Sequence, residues 1–240
     1  MKETGLLSHV FPELDVMSGV DIIDNKGHKD VFIHTLKVVD NAAKLTKNMD
    51  VRFAALVHDI AKPNTKHFDR KKGWTFHGHD EIGQRMLKNV AQRMKLSNQL
   101  RDFLMLLTKL HLRPITLAME GITDSAVRRV MAEAGEHIDD LMILCRADIT
   151  TKDPKKVKKY MGNFERVEML IQDVKLRDEM RAFQSPVRGE EIMEVFKLKP
   201  GREVGLIKKA IEEAILDGEI ENEYDAAYAF MIKNKDEIIA

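Results

Sequence analysis

The chain has 240 residues, 44% hydrophobic and 32% charged, with only 13 Gly and 6 Pro, a composition that excludes disordered, collagen-like and linker-dominated chains. Lys plus Arg and Asp plus Glu each total 39, so bulk charge drives no coating of nucleic acid or membrane, and any basic site is local. One cysteine, Cys145, excludes an internal disulfide and a cysteine-based zinc cluster.

Apolar residues recur at helical spacing along the chain, and strand-like alternation is scarce, which predicts an all-α protein. Residues 1–26 hold the apolar cluster Leu6, Leu7, Val10, Phe11 and Leu14 and are expected to pack as an N-terminal arm. Phe32, Leu36, Val39 and Ala43 share one face of a first long helix ending near Leu45. A second is expected to start with Asp50 as its cap and to stop near Pro63. A third opens at about His79 and carries Ile82, Met86, Val90 and Met94 on one stripe. Ser97 caps a fourth, with Leu100, Leu104, Leu107 and Leu110, expected to end at Pro114. A fifth runs from Asp124 to Gly135, and a sixth from about Ile138 to Asp148.

After Asp148 the composition changes: residues 152–159 contain five Lys and one Asp, followed by a long amphipathic helix with Val157, Met161, Phe164, Val167, Ile171 and Val174. The expected division is therefore an arm over 1–26, a helical domain over 27–152 and a smaller helical tail over 153–240. In the tail, Ser185-Pro186 is expected to open a short helix. Lys199-Pro200-Gly201 is read as a turn before a helix that ends at Asp217-Gly218, and a last helix holds Tyr224, Ala227, Tyr228 and Met231. No run of apolar residues approaches a membrane span and the N-terminus lacks a secretory pattern, which gives the expectation of a cytoplasmic protein with no membrane partner.

Seven of the nine His lie between His28 and His111. The dipeptide His-Asp, at His58-Asp59 and His79-Asp80, occurs about as often as chance expects and is uninformative alone. The ordered set is informative: His34 in Phe-Ile-His-Thr-Leu, His58-Asp59 after the apolar run Phe53–Val57, and Asp148 in Arg-Ala-Asp at a helix end. An apolar helix ending in His-Asp places an imidazole and a carboxylate about 100° apart around the axis, both within reach of an ion held between helices. Two nitrogens and two oxygens suit Mn, Ni, Co, Fe or Zn better than Mg or Ca. Such an ion lowers the pKa of bound water and makes phosphate-ester hydrolysis the natural chemistry.

This set resembles the HD phosphohydrolase superfamily, in which a His, an adjacent His-Asp pair and a distant Asp bind a divalent metal. The resemblance implies the ligands His34, His58, Asp59 and Asp148. His79 and His111 stand where some HD proteins place ligands for a second metal, with Asp59 bridging; helix capping or an outer-shell contact to substrate phosphate is the alternative for both. Lys62 matches the Lys of the family's His-Asp-x-Gly-Lys stretch, with Ala61 in place of the Gly, and is a phosphate-binding candidate. The implied catalytic set is Asp59, Lys62, His79 and His111. His28, His67, His77 and His137 read as structural, with His77 the one nearest a pocket, and Cys145 reads as a buried small residue.

Longer strings, Val51-Arg52-Phe53-Ala54-Ala55-Leu56-Val57-His58-Asp59-Ile60-Ala61-Lys62, Phe76-His77-Gly78-His79-Asp80 and Arg146-Ala147-Asp148-Ile149, are similar to the HD domain of bacterial tRNA nucleotidyltransferases. Leu198-Lys199-Pro200-Gly201-Arg202-Glu203-Val204-Gly205 is similar to their helical tail. The Gly-Ser turn and Asp-x-Asp carboxylates of the nucleotide-transferring head have no counterpart here, so nucleotide transfer is not expected. The resemblance implies hydrolysis of 2',3'-cyclic phosphates, 2'-nucleotides or phosphomonoesters, with a phosphorylated nucleotide or an RNA end, tRNA included, as partner. Two other readings are a noncatalytic tRNA-binding portion that works with a separate nucleotidyltransferase subunit, and a nucleotidase unrelated to tRNA. Lys66, Arg70, Lys71 and Lys72, beside Trp74, form a basic stretch after the His-Asp motif. Lys155, Lys156 and Lys159 form another at the head of the tail, and both are candidate RNA or phosphate contacts.

Overall fold

The computed structural model describes residues 1–24, 26–119, 122–182 and 185–239. It is mainly helical. The helices, in chain order, are α1 (Leu6–Val10), α2 (Pro12–Asp15), α3 (Val31–Leu45), α4 (Met49–Val57), α5 (Lys62–Thr65), α6 (His79–Arg93), α7 (Asn98–Leu110), α8 (Arg113–Leu117), α9 (Asp124–Ala134), α10 (Ile138–Ala147), α11 (Pro154–Ala182), α12 (Gly189–Phe196), α13 (Arg202–Leu216) and α14 (Tyr224–Ile239). Two small antiparallel hairpins interrupt them: β1 (Ile22–Ile23) with β2 (Lys26–Gly27), and β3 (His67–Asp69) with β4 (Gly73–Thr75). Strands of two or three residues carry no detectable alternation, so periodicity passes over them. Among the described residues no helix is long and apolar enough to cross a membrane.

Short polar side chains start several helices by accepting an otherwise unpaired N–H. Asp30 accepts from Ile33 N, Ser97 from Leu100 N and Thr123 from Ala126 N. The cap of α4 is Asn48, accepting from Asp50 N, so Asp50 lies inside the helix rather than capping it. Helix α7 stops at Leu110, before the expected Pro114, which instead sits in the first turn of the next helix, α8, where its missing N–H costs no hydrogen bond. The helix expected at Ser185-Pro186 starts at Gly189 instead, and Gly135 (φ 54°) and Gly218 (φ 75°) follow the ends of α9 and α13.

Two compact units divide at 174/175, within α11: Met1–Val174 and Lys175–Ala240. The change of composition seen at 152/153 lies well before that point. The reason is visible in packing. The first unit has two apolar clusters. In one, Val38, Ala42, Val51, Val57, Leu87, Leu104 and Leu144 from α3, α4, α6, α7 and α10 meet Leu7, Phe11, Leu14 and Met17 of the arm. Burying each large side chain stabilises the fold by roughly 1.5–3 kcal/mol, so the arm is a working part of the core. In the other, Leu117, Val127, Val130 and Leu141 of α8, α9 and α10 pack with Phe164, Val167, Ile171 and Val174 of α11. The early turns of α11 thus belong to the first core. The second unit closes its own core around Ile192, Ile207, Ile211, Ala227 and Met231.

Candidate metal centre and adjoining cleft

Five helix termini converge in the first unit. His34 is in the first turn of α3, His58 caps the end of α4 with Asp59 next, His79 is the first residue of α6, His111 caps the end of α7, and Asp148 caps the end of α10. Asp59 and His58 are fully enclosed, at 1% and 0% exposure.

Three of the four imidazoles are held in the same way. Nδ1 of His58 donates to Ala55 O (2.9 Å), Nδ1 of His79 to Phe76 O (2.7 Å) and Nδ1 of His111 to Thr108 O (2.6 Å). A carbonyl only accepts, so Nδ1 carries a proton in each and Nε2 is the inward atom, able to offer a lone pair once its own proton is displaced. For His58 and His111 that carbonyl lies in the last turn of a helix that ends at the histidine, whereas Phe76 O also accepts from His79 N (3.4 Å). His34 turns its Nδ1 to the Thr150 hydroxyl (3.0 Å), two residues beyond Asp148.

The inward atoms form two triads. Nδ1 or Nε2 of His34 and His58 and a carboxylate oxygen of Asp148 lie within 4.8 Å of one another, as do those of Asp59, His79 and His111. Asp59 joins the triads: its Oδ2 lies 3.4 Å from His34 Nε2 and 3.2 Å from His58 Nε2, while its Oδ1 lies 3.4 Å from His79 Nε2 and 3.9 Å from His111 Nε2. Asp148 Oδ1 is 2.9 Å from His34 Nε2 and 3.7 Å from His58 Nε2. His58 Nε2 and Asp59 Oδ1 are nevertheless buried with no hydrogen-bond partner. His79 and His111 bring their Nε2 atoms to 3.3 Å, while Nδ1 of each is engaged with a carbonyl. Buried acceptor atoms facing one another are costly unless a proton or a cation lies between them, and this donor set fits a divalent ion at each triad.

Electrostatics agrees. Burial opposes charge on His58 and His34, but Asp59 and Asp148 outweigh it, raising His34 and lifting His58 to about 10. Burial likewise opposes charge on Asp59 and Asp148, yet the surrounding imidazoles hold both carboxyls well below the usual range. Burial, reinforced by the charge on His58, pushes His111 down to about 4, so its ring is neutral at pH 7, the form a metal ligand requires. Cys145 is buried with its thiol pushed up, and Sγ meets His111 O at 3.1 Å, a structural role as its apolar stripe implied.

A cleft of about 780 Å³ opens beside the first triad, lined by His34 and Asp148 and by lysines 29, 62, 72 and 156. Lys62 faces it but bonds Asp59 Oδ2 at 2.6 Å and lies over the Phe76 ring. Of the basic residues singled out from sequence, Lys72 and Lys156 line the cleft with Lys62; Lys66, Arg70, Lys71, Lys155 and Lys159 do not. Lys66 pairs with Asp21 and covers the Trp74 ring instead. His77 is not among the lining residues. His28 is, its ring edge-on to Trp74 and Phe76, and Asp21 N donates to its Nε2 (3.1 Å). Thr150, Tyr160 and Asn163 are lining residues that sequence reasoning did not single out. Tyr160 and Asn163 follow Lys156 at helical spacing, a signal that was legible.

The HD domain profile matches residues 31–153, a span that holds every residue of both triads. The chain belongs to the HD domain family. HD proteins form a metal-dependent phosphohydrolase superfamily, and the two triads are its candidate metal cluster here. Among similar proteins is a Multifunctional CCA protein of Vibrio campbellii, 32% identical over 154 residues, covering 62% of this chain and 37% of that protein. Another, of Psychromonas ingrahamii, is 35% identical over 125 residues, 51% of this chain and 28% of its own length. A third, of Vibrio vulnificus, is 30% identical over 154 residues, again 62% and 37%. The match therefore spans 37% of the length of two of these relatives and 28% of the third, and it covers the HD region of this chain.

Proposed function

We propose that this HD protein is a divalent-metal phosphohydrolase acting on a nucleotide or RNA-end phosphate, of the phosphomonoesterase, 2'-nucleotidase or 2',3'-cyclic phosphodiesterase type. The observation that carries the reading is the bridging position of Asp59, whose two oxygens face separate histidine-containing triads. His34, His58, Asp59 and Asp148 hold one ion, and His79 and His111 with Asp59 hold a second. Mixed nitrogen and oxygen donors favour Mn, Fe, Co, Ni or Zn over Mg. Bound there, a divalent ion supplies Lewis acidity and lowers the pKa of water at the site.

The chain itself contributes orientation and charge. The Nδ1 clamps fix the imidazole tautomers, and the imidazoles around Asp59 keep its carboxylate ionised against the cost of burial. Lys62, at the junction of cluster and cleft, is placed to balance negative charge that builds on a phosphate as the ester bond breaks. A second reading, a noncatalytic tRNA-binding portion partnered by a separate nucleotidyltransferase subunit, draws on the part-length similarity to Multifunctional CCA proteins.

Metal analysis of the purified protein, with a turnover screen over adenosine 2',3'-cyclic phosphate, adenosine 2'-phosphate and p-nitrophenyl phosphate, separates the two. The phosphohydrolase turns over at least one of them and Asp59→Ala abolishes both bound metal and turnover. Turnover that survives Asp59→Ala overturns the reading. Tight tRNA binding with no turnover of any ester favours the second.

A further inference from the structure

The cleft is far larger than one phosphate requires, and its charge is one-sided. Its volume of about 780 Å³ lies in the range that encloses a ligand of nucleotide size. Four lysines line it, against a single carboxylate, Asp148, which already belongs to the metal cluster. In a chain of zero formal net charge this is a strong local excess. Lys62 is committed to Asp59. The ammonium groups of Lys72 and Lys156 have no acidic partner among the described residues: their recorded hydrogen bonds run from backbone N–H groups to Asp69 and Asp153.

Each of those two lysines comes with an aromatic ring. Lys72 precedes Trp74 at the β3–β4 hairpin, and Lys156 stands four residues before Tyr160 on one stripe of α11, with Asn163 one turn further on. A cation for phosphate beside an aromatic face for a base is the combination by which proteins hold single nucleotides without pairing. Lys156 and Tyr160 supply it next to a cluster suited to a first phosphate, while Trp74 lines the same cleft with Lys66 over its ring.

We propose that this cleft holds a second phosphate subsite, formed by Lys72 and Lys156, for a nucleotide that places its other phosphate at the metal cluster and rests its base on Tyr160. The inference builds on the phosphohydrolase reading and names its substrate class: a nucleotide with two phosphates. The second phosphate is either the internucleotide phosphate of an RNA end or a phosphate of a free bisphosphorylated nucleotide.

Trp74 is the chain's one tryptophan, so its fluorescence reports occupancy directly. The full chain, with its metal retained, is titrated with the phosphorothioate analogues, which resist turnover, of adenosine 3'-monophosphate, adenosine 3',5'-bisphosphate and the dinucleotide ApAp. The bisphosphate is expected to bind about tenfold tighter than the monophosphate, with that advantage shrinking as salt rises. Lys156→Gln, an open position on a helix surface, removes most of the advantage and leaves monophosphate affinity within about twofold. Tyr160→Leu weakens both adenosine ligands about fivefold or more and leaves competition by pyrophosphate unchanged. ApAp equal to the bisphosphate assigns the subsite to RNA ends, and ApAp weaker than the bisphosphate assigns it to free nucleotides; either supports the subsite. Equal affinity for the mono- and bisphosphate, or equal weakening of both by Lys156→Gln, overturns it. Hydrolysis is scored separately, so loss of the phosphohydrolase reading and loss of the subsite give different results.

Discussion

Asp59 and His58 show how a dipeptide with no statistical weight becomes informative once its neighbours are ordered around it. Without metal, the carboxylates of Asp59 and Asp148 are balanced by protons on imidazole, and His58 is lifted to about 10 against an ordinary 6.5. A raised folded-state value contributes stability that is complete below about 6.5 and is lost as pH climbs through 10. The metal-free protein is therefore expected to lose thermal stability between pH 7 and 10, and His58→Gln to flatten that slope while lowering stability at pH 7. Metal ions displace the same protons, so binding at pH 7.5 releases them. Calorimetry in two buffers of different ionisation heat measures the release, and zero release would contradict the assignment of His58 as a ligand. The legible part of the site was the set whose members stand at helix ends, His34, His58, Asp59 and Asp148, with His79 and His111 named as candidates for a second ion. Thr150 was not legible, because a hydroxyl two residues past a metal-ligand aspartate has meaning only once α3 lies beside it and His34 Nδ1 reaches it.

At the scale of elements, approach distance decides whether His79 and His111 share a site. Gly83 follows His79 by one turn of α6, and a Cβ there would stand 3.0 Å from Thr108 Cγ2 on α7 and 3.5 Å from Ile60 Cγ2 after the His-Asp pair. Thr108 is also the residue whose carbonyl holds His111. The missing side chain is what lets α6 close on α7 and the His-Asp turn. Gly83→Val is expected to cost about 1–3 kcal/mol in urea unfolding by overpacking, and to weaken the His79–His111 triad more than the His34–His58 triad. A metal count that drops from two to one reads the second effect. Gly162, on α11, is a useful contrast: nothing lies within 4 Å of its would-be Cβ, and Ala there is expected to stabilise by about 0.5–1 kcal/mol through helix propensity alone. Helix positions were readable from apolar spacing because each long helix buries one stripe. The hairpins were not, since β3 and β4 have three residues each and exist by pairing His67 with Thr75 and Asp69 with Gly73.

At the scale of the whole molecule, charge and chain division both change meaning between sequence and structure. Zero net charge averages a cleft with four lysines and one carboxylate against acidic helix faces elsewhere, and composition alone cannot localise that imbalance. The lysine-rich stretch at 152–159 marks a change of surface, whereas the compact units divide at 174/175 because α11 supplies Phe164, Val167, Ile171 and Val174 to the first core. A chain ended at residue 152 leaves that core open and removes Lys156 and Tyr160 from the cleft. Truncating those four large apolar contacts costs roughly 1.5–3 kcal/mol each, which is comparable in sum to the whole stability of a typical domain. We therefore expect residues 1–174 to fold cooperatively and bind metal as the full chain does, and residues 1–152 to be unfolded or aggregated. Near-ultraviolet circular dichroism and metal stoichiometry of the two fragments decide it: a native signal with full metal loading in 1–152 would return the boundary to the place where composition changes.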